Sequence, residues 1–326
     1  MDIEYLLLLQ NFRNAIGDAL TPFLETASLF AITLLVVVPA FVYWCVGKRE
    51  GLFALAAWSM TCAVNSAIKL TACVYRPWIR DPRILPAGNA IATAGGYSFP
   101  SGHTATAGPL YGSFALQTWN KARPVAWICV ALILVTGFSR NYLGVHTPQD
   151  VVVALVESAL ALFATCRLFD WLTRHPEREN AVLLAGFAAG WALLAYVTFK
   201  PYHVDVVDGA ILVDPQRMMI DAYGDIGQLI CFCVARFVDK TWIRFKPVFD
   251  RRTVAWGIAG AVILCIAINM GGHGPSDAPV AAQQWGKFVQ RGAMIFFVMV
   301  FWPLMMKLGI RDQESGIRSQ GSGISA

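Results

Sequence analysis

Long apolar runs constrain the fold of this 326-residue chain more than any other feature. Several of them reach the roughly 20 consecutive apolar residues that a helix needs to cross the hydrocarbon core of a bilayer. Only 14% of the residues are charged, whereas a soluble globular protein carries roughly a quarter. Backbone polar groups in lipid must be satisfied within the segment, so such runs form helices. The sequence therefore predicts an all-α polytopic membrane protein.

The apolar runs predict a helical bundle of about nine transmembrane helices. Residues 1–26 contain acidic residues and lack the basic start of a signal peptide, so we expect an N-terminal interfacial segment there. The polar tail 311–326 is rich in Gly and Ser and is expected to be disordered. The expected spans are 27–47, 51–73, 103–119, 124–138, 149–169, 181–199, 217–237, 253–271 and 288–308.

The basic residues predict the orientation of the bundle. With these spans, 16 of the 26 Lys and Arg residues fall in one of the two alternating sets of connections. Connections rich in Lys and Arg stay in the cytoplasm. We therefore expect an extracytoplasmic N-terminus and a cytoplasmic C-terminus. The three polar strings described next then share the extracytoplasmic face.

Three short polar strings interrupt the apolar sequence, each at the end of a predicted span. Ionisable residues at such positions are costly and mark functional sites by default. Each string also has a simpler interpretation on its own: a snorkelling basic residue, an ordinary helix start, or a capping box with a surface histidine. The strings are Lys69-x6-Arg76-Pro77, Pro100-Ser101-Gly102-His103, and Ser139-Arg140-x5-His146-x3-Asp150.

The first two strings predict groups that bind an anion. Lys69 and Arg76 are seven residues apart, which places both on one stripe of a helix that Pro77 would end. Ser101 is a candidate N-cap of the next span, and Gly102 allows backbone N–H groups to approach a ligand closely. A helix N-terminus of this kind is an anion site.

The third string predicts an oriented histidine. Thr147, Pro148 and Asp150 have the order of an N-cap, a proline at the first helical position and an acidic third position. Asp150 can reach back to the Nδ1–H of His146, which would leave Nε2 available as a nucleophile. Arg140 offers a planar fork of donors for phosphate oxygens.

A metal site is the alternative for these residues. His103, His146 and Asp150 would form an acceptable ligand set. The three cations of the strings would converge on the same place, however, against a single carboxylate. Such a field repels a divalent ion and attracts a phosphate dianion. The sequence therefore predicts a phosphoryl site with no metal.

In this order, the three strings resemble the signature of the type-2 phosphatidic acid phosphatase and vanadium haloperoxidase superfamily, over roughly residues 50–170. The resemblance implies that His146 attacks phosphorus to give a phosphohistidine and that Asp150 orients it. It implies that His103 protonates the leaving oxygen and later helps to activate water, with no cofactor. The phosphate-binding residues that it implies are Lys69, Arg76, Ser101, Gly102 and Arg140.

The resemblance divides the chain into a phosphatase core at 27–172 and additional C-terminal transmembrane helices at 173–310. Haloperoxidases of the superfamily are soluble, so the apolar spans favour a membrane phosphatase. A site at the extracytoplasmic interface suits a lipid phosphomonoester or diphosphate whose tail stays in the bilayer. The alternatives are a small phosphorylated substrate, as in glucose-6-phosphatases, and a transporter that binds lipid phosphate without hydrolysis. No basic block indicates nucleic acid.

Other polar residues have two interpretations each. In the link 78–100, Arg80, Asp81 and Arg83 belong to a solvated loop or read a polar head group. Glu157 lies seven residues after Asp150 and either supports the site from below or pairs with a polar group of a neighbouring helix.

Arg217, Asp221 and Asp225 recur every four residues near the start of a predicted span. This spacing predicts an ion-paired ladder along one helix face. The alternative is a wall of the head-group pocket.

Overall fold

The computed structural model describes residues 2–33, 36–270 and 278–309, so the predicted disordered tail lies outside the described residues. Helices dominate this part of the chain. Its two strands, β1 (Val206–Val207) and β2 (Ala210–Ile211), form an antiparallel hairpin. The helices are α1 Asp2–Ala15, α2 Thr21–Thr33, α3 Val37–Phe41, α4 Lys48–Ala72, α5 Pro77–Arg80, α6 Gly102–Thr118, α7 Arg123–Tyr142, α8 Pro148–Arg174, α9 Glu179–Phe199, α10 Pro215–Val238, α11 Arg251–Met270 and α12 Val280–Phe296.

Seven helices in the described ranges are long and apolar enough to cross a membrane, the last being α12 together with the helical residues that continue it to Gly309. This confirms the prediction of an all-α integral membrane protein. Among the described residues, two of the nine predicted spans contain no helix of that length. Residues 27–47 include part of α2 and a short apolar helix, Val37–Val46, and the third predicted span is the 17-residue α6. The count of nine and the orientation stay predictions.

Helix α4 is the centre of the bundle. It packs against α6 and α8, and also against α9 and α10. Helix α10 packs in turn against α9 and α12, while α7 packs against α2 and α6. A Cβ atom at Gly227 of α10 would overlap the ring of Phe288 of α12, so this glycine permits the close approach of the two helices. The helices after residue 174 therefore pack on the same central helix as those that carry the polar strings.

Local backbone signals set the helix ends that concern the site. The predicted caps at Ser101 and Thr147 are confirmed: each side-chain oxygen accepts a hydrogen bond from a backbone N–H of its first turn. The expected continuation of α4 to Arg76 is wrong. Helix α4 ends at Ala72 because Cys73 adopts a left-handed conformation with φ of 49°. Arg76 is extended, as residues before proline prefer, so it does not share a helix stripe with Lys69.

A buried ionic cluster joins three helices at the end of α4 that is remote from Lys69. Asp239, which is fully buried, lies 2.6 Å from Lys48 Nζ of α4 and 2.9 Å from Arg236 Nη1 of α10. Arg236 Nε also lies 2.8 Å from a carboxylate oxygen of Glu179, at the start of α9. Because both cations contact Asp239, the cluster compensates its buried charge.

Helix α1 holds the long loop between α5 and α6. Arg80 lies 2.8 Å from Asp2, and Arg83 lies 3.2 Å from Glu4 and 2.7 Å from Asp81. Arg80 and Arg83, the basic residues of the alternative in which this link reads a head group, are therefore engaged by carboxylates of the chain itself.

Candidate active site

The three polar strings meet where one end of α4, α6, α7 and α8 comes together. Lys69 lies in the last turn of α4, and Arg140 in the last turn of α7. Arg76 lies in the link between α4 and α5. The start of α6 supplies Ser101, Gly102 and His103; the turn between α7 and α8 supplies His146, and the first turn of α8 supplies Asp150.

His146 is held between a carboxylate and a guanidinium. Its Nδ1 lies 3.3 Å from Asp150 Oδ2, and its Nε2 lies 2.8 Å from Arg76 Nη1. A guanidinium can only donate hydrogen bonds, so Nε2 is the acceptor of this contact. The proton of a neutral His146 ring is therefore on Nδ1, directed at Asp150, and the lone pair is on Nε2.

The surroundings of His146 favour this neutral form. Its side chain is buried, and Arg76, Lys69 and Arg140 act on it electrostatically. Burial, and then these positive charges, lower the pKa of His146 well below its usual range. The imidazole is thus in the protonation state that a nucleophile needs at neutral pH.

The turn between α7 and α8 fixes the backbone of His146. The N–H groups of Val145 and His146 both donate to the carbonyl of Arg140, at 3.1 and 3.2 Å. Gly144 has φ of 72°, which allows this tight reversal. The side chain of Asn141 donates to the His146 carbonyl at 2.9 Å. The histidine is therefore held by its backbone as well as by its ring.

Asp150 is itself held by two further donors. The backbone N–H of Thr147 donates to Asp150 Oδ2 at 2.8 Å, completing the predicted capping box. The hydroxyl of Ser98, which is fully buried, donates to the same oxygen. Ser101 N–H donates to the Asp150 carbonyl at 2.9 Å. Sequence reasoning missed Ser98, whose nearness to Ser101 in the chain was the one available signal.

Lys69 holds the loop that precedes α6. Its ammonium donates to the carbonyl of Ser98 at 3.3 Å and to that of Pro100. It also interacts electrostatically with Arg76 and Asp150. An ammonium has three N–H donors, so one remains for a ligand.

Several buried nitrogen atoms around His146 have no partner among the described residues. They are Nε of Arg76, Nε and Nη2 of Arg140, and Nε2 of His103. The remaining Nη1 of Arg140 donates to Ser28 of α2 at 3.1 Å. Buried donors left unpaired cost free energy, so their concentration here indicates a site for an anionic acceptor. His103 interacts electrostatically with Arg140, Arg76 and Lys69, which brings it into the same cationic field.

The start of α6 adds an open backbone to this field. The Ser101 hydroxyl accepts from the N–H and the hydroxyl of Thr104, at 3.4 and 3.0 Å. A Cβ atom at Gly102 would meet nothing within 4 Å, so the helix start is not covered by a side chain. Throughout the described ranges, no group of three or more His, Cys, Asp or Glu residues is arranged to hold a metal ion.

The structure separates the two interpretations of the polar residues beneath the site. Glu157 accepts a hydrogen bond from Asn65 of α4 at 2.9 Å, so it pairs with a polar group of a neighbouring helix. The predicted ladder on α10 is wrong. Arg217 lies 3.8 Å from Asp214 rather than pairing with Asp221.

Asp225 has partners on other helices instead. It accepts a hydrogen bond from Ser66 of α4 at 2.6 Å and lies 3.8 Å from Arg291 of α12. An acidic side chain in the interior of the bundle is better shielded from lipid by a neighbouring helix than by a residue of its own face. This difference explains why helix periodicity misassigned it.

The fold and site define a polytopic helical membrane protein with a buried histidine–carboxylate pair in a cationic pocket. Residues 50–174 match the model of the PAP2 superfamily, and this segment contains all three strings. Over this segment, the chain is similar to the PAP2 superfamily.

Two characterised relatives from Bacillus subtilis (strain 168) are similar to about half of the chain. The chain is 29% identical over 163 residues to undecaprenyl-diphosphatase BcrC. This match covers 49% of this chain and 78% of the relative. It is 29% identical over 151 residues to phosphatidylglycerophosphatase B, which covers 44% of this chain and 70% of the relative. No solved structure matches the chain.

Proposed function

We propose that this chain is an integral membrane phosphatase that hydrolyses a lipid phosphate through a phosphohistidine, without a metal or cofactor. The observation that carries the proposal is the arrangement around His146. Its Nε2 accepts from Arg76, while Arg140 and His103, which interact with it electrostatically, carry buried nitrogen atoms without a partner. Such preorganised donors stabilise the negative charge that spreads over the equatorial oxygens during phosphoryl transfer.

In the first step, the Nε2 lone pair of His146 attacks phosphorus and forms an N–P bond. The bond between phosphorus and the lipid oxygen breaks, and His103 gives that oxygen a proton. In the structure, before any substrate is bound, Arg76 donates to this Nε2. A bound phosphoryl group would take this donor onto one of its own oxygens and so release the lone pair at the moment when it is needed.

In the second step, water attacks phosphorus and gives a proton to His103. The N–P bond breaks, inorganic phosphate leaves, and His146 returns to its neutral form. Asp150 stabilises the same ring orientation throughout because Thr147 and Ser98 fix its carboxylate. Restoring the proton on His103 prepares it for the next leaving oxygen.

A lipid substrate is supported by the position of the site and by the relatives. The site lies at the ends of membrane-spanning helices, where a head group can enter while its tail remains in the bilayer. The two relatives are named as an undecaprenyl-diphosphatase and a phosphatidylglycerophosphatase. From the distribution of Lys and Arg, we propose that the site faces away from the cytoplasm.

Phosphate release by the purified chain, with a panel of lipid phosphates and glucose 6-phosphate, tests this function. We expect turnover with lipids, resistance to EDTA and inhibition by vanadate. His146→Ala should lose about 10³-fold or more of kcat, and His103→Ala about 10²- to 10⁴-fold. His175→Ala is the matched control, since His175 lies in an exposed turn, and it should keep full activity.

Alkaline quenching with substrate labelled at phosphorus should trap label on the wild type and none on His146→Ala. Label on the variant, or loss of turnover in EDTA, would contradict the mechanism. Faster hydrolysis of glucose 6-phosphate than of every lipid would make the chain a sugar-phosphate phosphatase. Tight lipid phosphate binding with no release of phosphate would make it a transporter.

A further inference from the structure

Asp221 of α10 is an exposed carboxylate at the edge of the cationic pocket. Within the described part of the chain, it forms no hydrogen bond and no ion pair, whereas Asp214 and Asp225 on either side of it do. It lies outside the segment 50–174 that matches the family model. Its position relative to the site follows from the contacts of its neighbours on α10.

The turn of α10 before Asp221 touches the loop that holds Arg76. A Cβ atom at Gly96 would overlap the side chain of Met218, so these two residues are in direct contact. The adjacent residue, Gly95, accepts a hydrogen bond from Arg76 Nη2 at 3.2 Å. The start of α10 therefore flanks the arginine that contacts His146.

The turn after Asp221 touches α4 just below Lys69. Ser66 donates to Asp225 at 2.6 Å, and Ser59 accepts from Gln228 at 3.1 Å, so the two helices run antiparallel. Measured from the contact between Ser66 and Asp225, Asp221 lies about 6 Å along the axis of α10, and Lys69 lies about 4.5 Å along the axis of α4. Both are displaced towards the site.

The direction of Asp221 on its helix agrees with this position. At about 100° per residue, it projects about 60° from the direction of Met218 and about 40° from that of Asp225. Met218 contacts the loop before α6, and Asp225 contacts α4. Asp221 acts electrostatically on both Lys69 and Arg76, although it lies beyond ion-pair distance of either. It is thus a fixed negative charge at the rim of a positive pocket.

We infer that Asp221 is a specificity-determining residue that favours phosphomonoesters over diphosphates. The inference rests on the proposed phosphatase function. A scissile phosphoryl group held by Lys69 and Arg76 would place a second phosphate of the same substrate towards the rim. There the carboxylate repels it, whereas a hydroxyl or a cationic group in that place would be tolerated or attracted. Near a surface, one such charge is worth on the order of tenfold in selectivity.

The test compares two substrates with the same polyprenyl tail, one a monophosphate and the other a diphosphate, on the purified full chain. Initial rates give the ratio of kcat/KM for the diphosphate to that for the monophosphate. Asp221→Asn should raise this ratio about tenfold, and Asp221→Lys should raise it further. Asp221→Glu keeps the charge and should keep the wild-type ratio. Asp208→Asn, an exposed carboxylate of the β1–β2 hairpin, is the matched control and should leave it unchanged.

The dependence of this kcat/KM ratio on salt distinguishes an electrostatic role of Asp221 from a purely structural one. Because Asp221 is exposed, its repulsion is screened, so the wild-type ratio should rise between low and high ionic strength. The ratio of Asp221→Asn should depend less on salt. If the wild type hydrolyses either lipid and Asp221→Asn keeps the same ratio within twofold, the inference is wrong and the proposed function stands. If the wild type hydrolyses neither, the proposed function fails, and this inference fails with it.

Discussion

Arg76 contacts the histidine that it would have to release during a reaction. Its Nη1 donates to His146 Nε2 at 2.8 Å and to the carbonyl of Val145 at 2.9 Å. The same guanidinium contributes to the field that lowers the pKa of His146. Arg76 therefore serves two purposes in the resting site: it keeps the imidazole neutral, and it fixes the direction of the lone pair.

The pH dependence of kcat/KM should show the effect of the Arg76 charge on the pKa of His146. Since the folded-state pKa of His146 is depressed, wild-type kcat/KM should not fall as the pH drops through about 6.5, the ordinary pKa of histidine. Burial, Lys69 and Arg140 would still lower that pKa in Arg76→Gln, but removal of the Arg76 charge should raise it and move the acid limb to higher pH than in the wild type. The measurement is kcat/KM from pH 4.5 to 8.5, with the exposed Arg178→Gln as control. Identical acid limbs in Arg76→Gln and wild type would contradict this account.

Sequence reasoning succeeded for residues whose partners are local and failed for those whose partners come from another helix. The caps at Ser101 and Thr147 depend on neighbours three residues away, so the sequence contains the whole interaction. Ser98 matters only because folding brings it to Asp150, which is 52 residues away along the chain. Sequence reasoning also missed the end of α4 at Cys73, because no glycine or proline at that position indicates a left-handed conformation.

At the scale of elements, α4 carries one polar cluster at each end. The site lies at its Lys69 end, and the ionic cluster of Asp239 lies at its Lys48 end, about 30 Å away along the helix axis. The Asp239 cluster joins α4, α9 and α10, so it connects the family segment to helices that follow it. Its contribution should be to stability rather than to catalysis.

Asp239→Asn should lower the free energy of unfolding by about 3 to 5 kcal/mol, because the partly buried Lys48 and Arg236 would lose their counter-ion. Thermal unfolding in detergent measures the loss. Asp170→Asn is the matched control: its pair with Arg49 is long, 3.6 Å, and both side chains are more than half exposed, so little change is expected. Equal unfolding temperatures for Asp239→Asn and Asp170→Asn would contradict a stabilising role of the Asp239 cluster. Residual activity of folded Asp239→Asn should match the wild type.

At the scale of the whole molecule, described helices from both sides of the predicted boundary near residue 172 pack on α4. Ser66 and Ser59 of α4 bond to Asp225 and Gln228 of α10 across the proposed boundary near residue 172. The apolar runs predicted the class of fold because lipid imposes that rule on every span. They did not predict which helices touch, since that depends on small residues and buried polar pairs spread over distant segments.

The orientation of the bundle is tested by labelling introduced cysteines with a membrane-impermeant maleimide. Ala92→Cys, in the exposed loop beside the site, should react in intact cells, and Arg178→Cys, in the α8–α9 turn, only after permeabilisation. This follows from the excess of Lys and Arg on the side of Arg178. The unsubstituted chain, with its eight cysteines, gives the background reaction. The reverse pattern would place the catalytic pocket in the cytoplasm.

The contact between Arg76 and His146 also has a consequence for chemical reactivity. A nitrogen whose electron pair is already engaged is a poor target for acylating and alkylating reagents. In the proposed mechanism, the resting protein therefore protects its nucleophile, Nε2 of His146, from other electrophiles. Only a substrate with enough negative charge to draw the Arg76 guanidinium away from His146 frees this lone pair. Substrate recognition and activation of the nucleophile are then a single event.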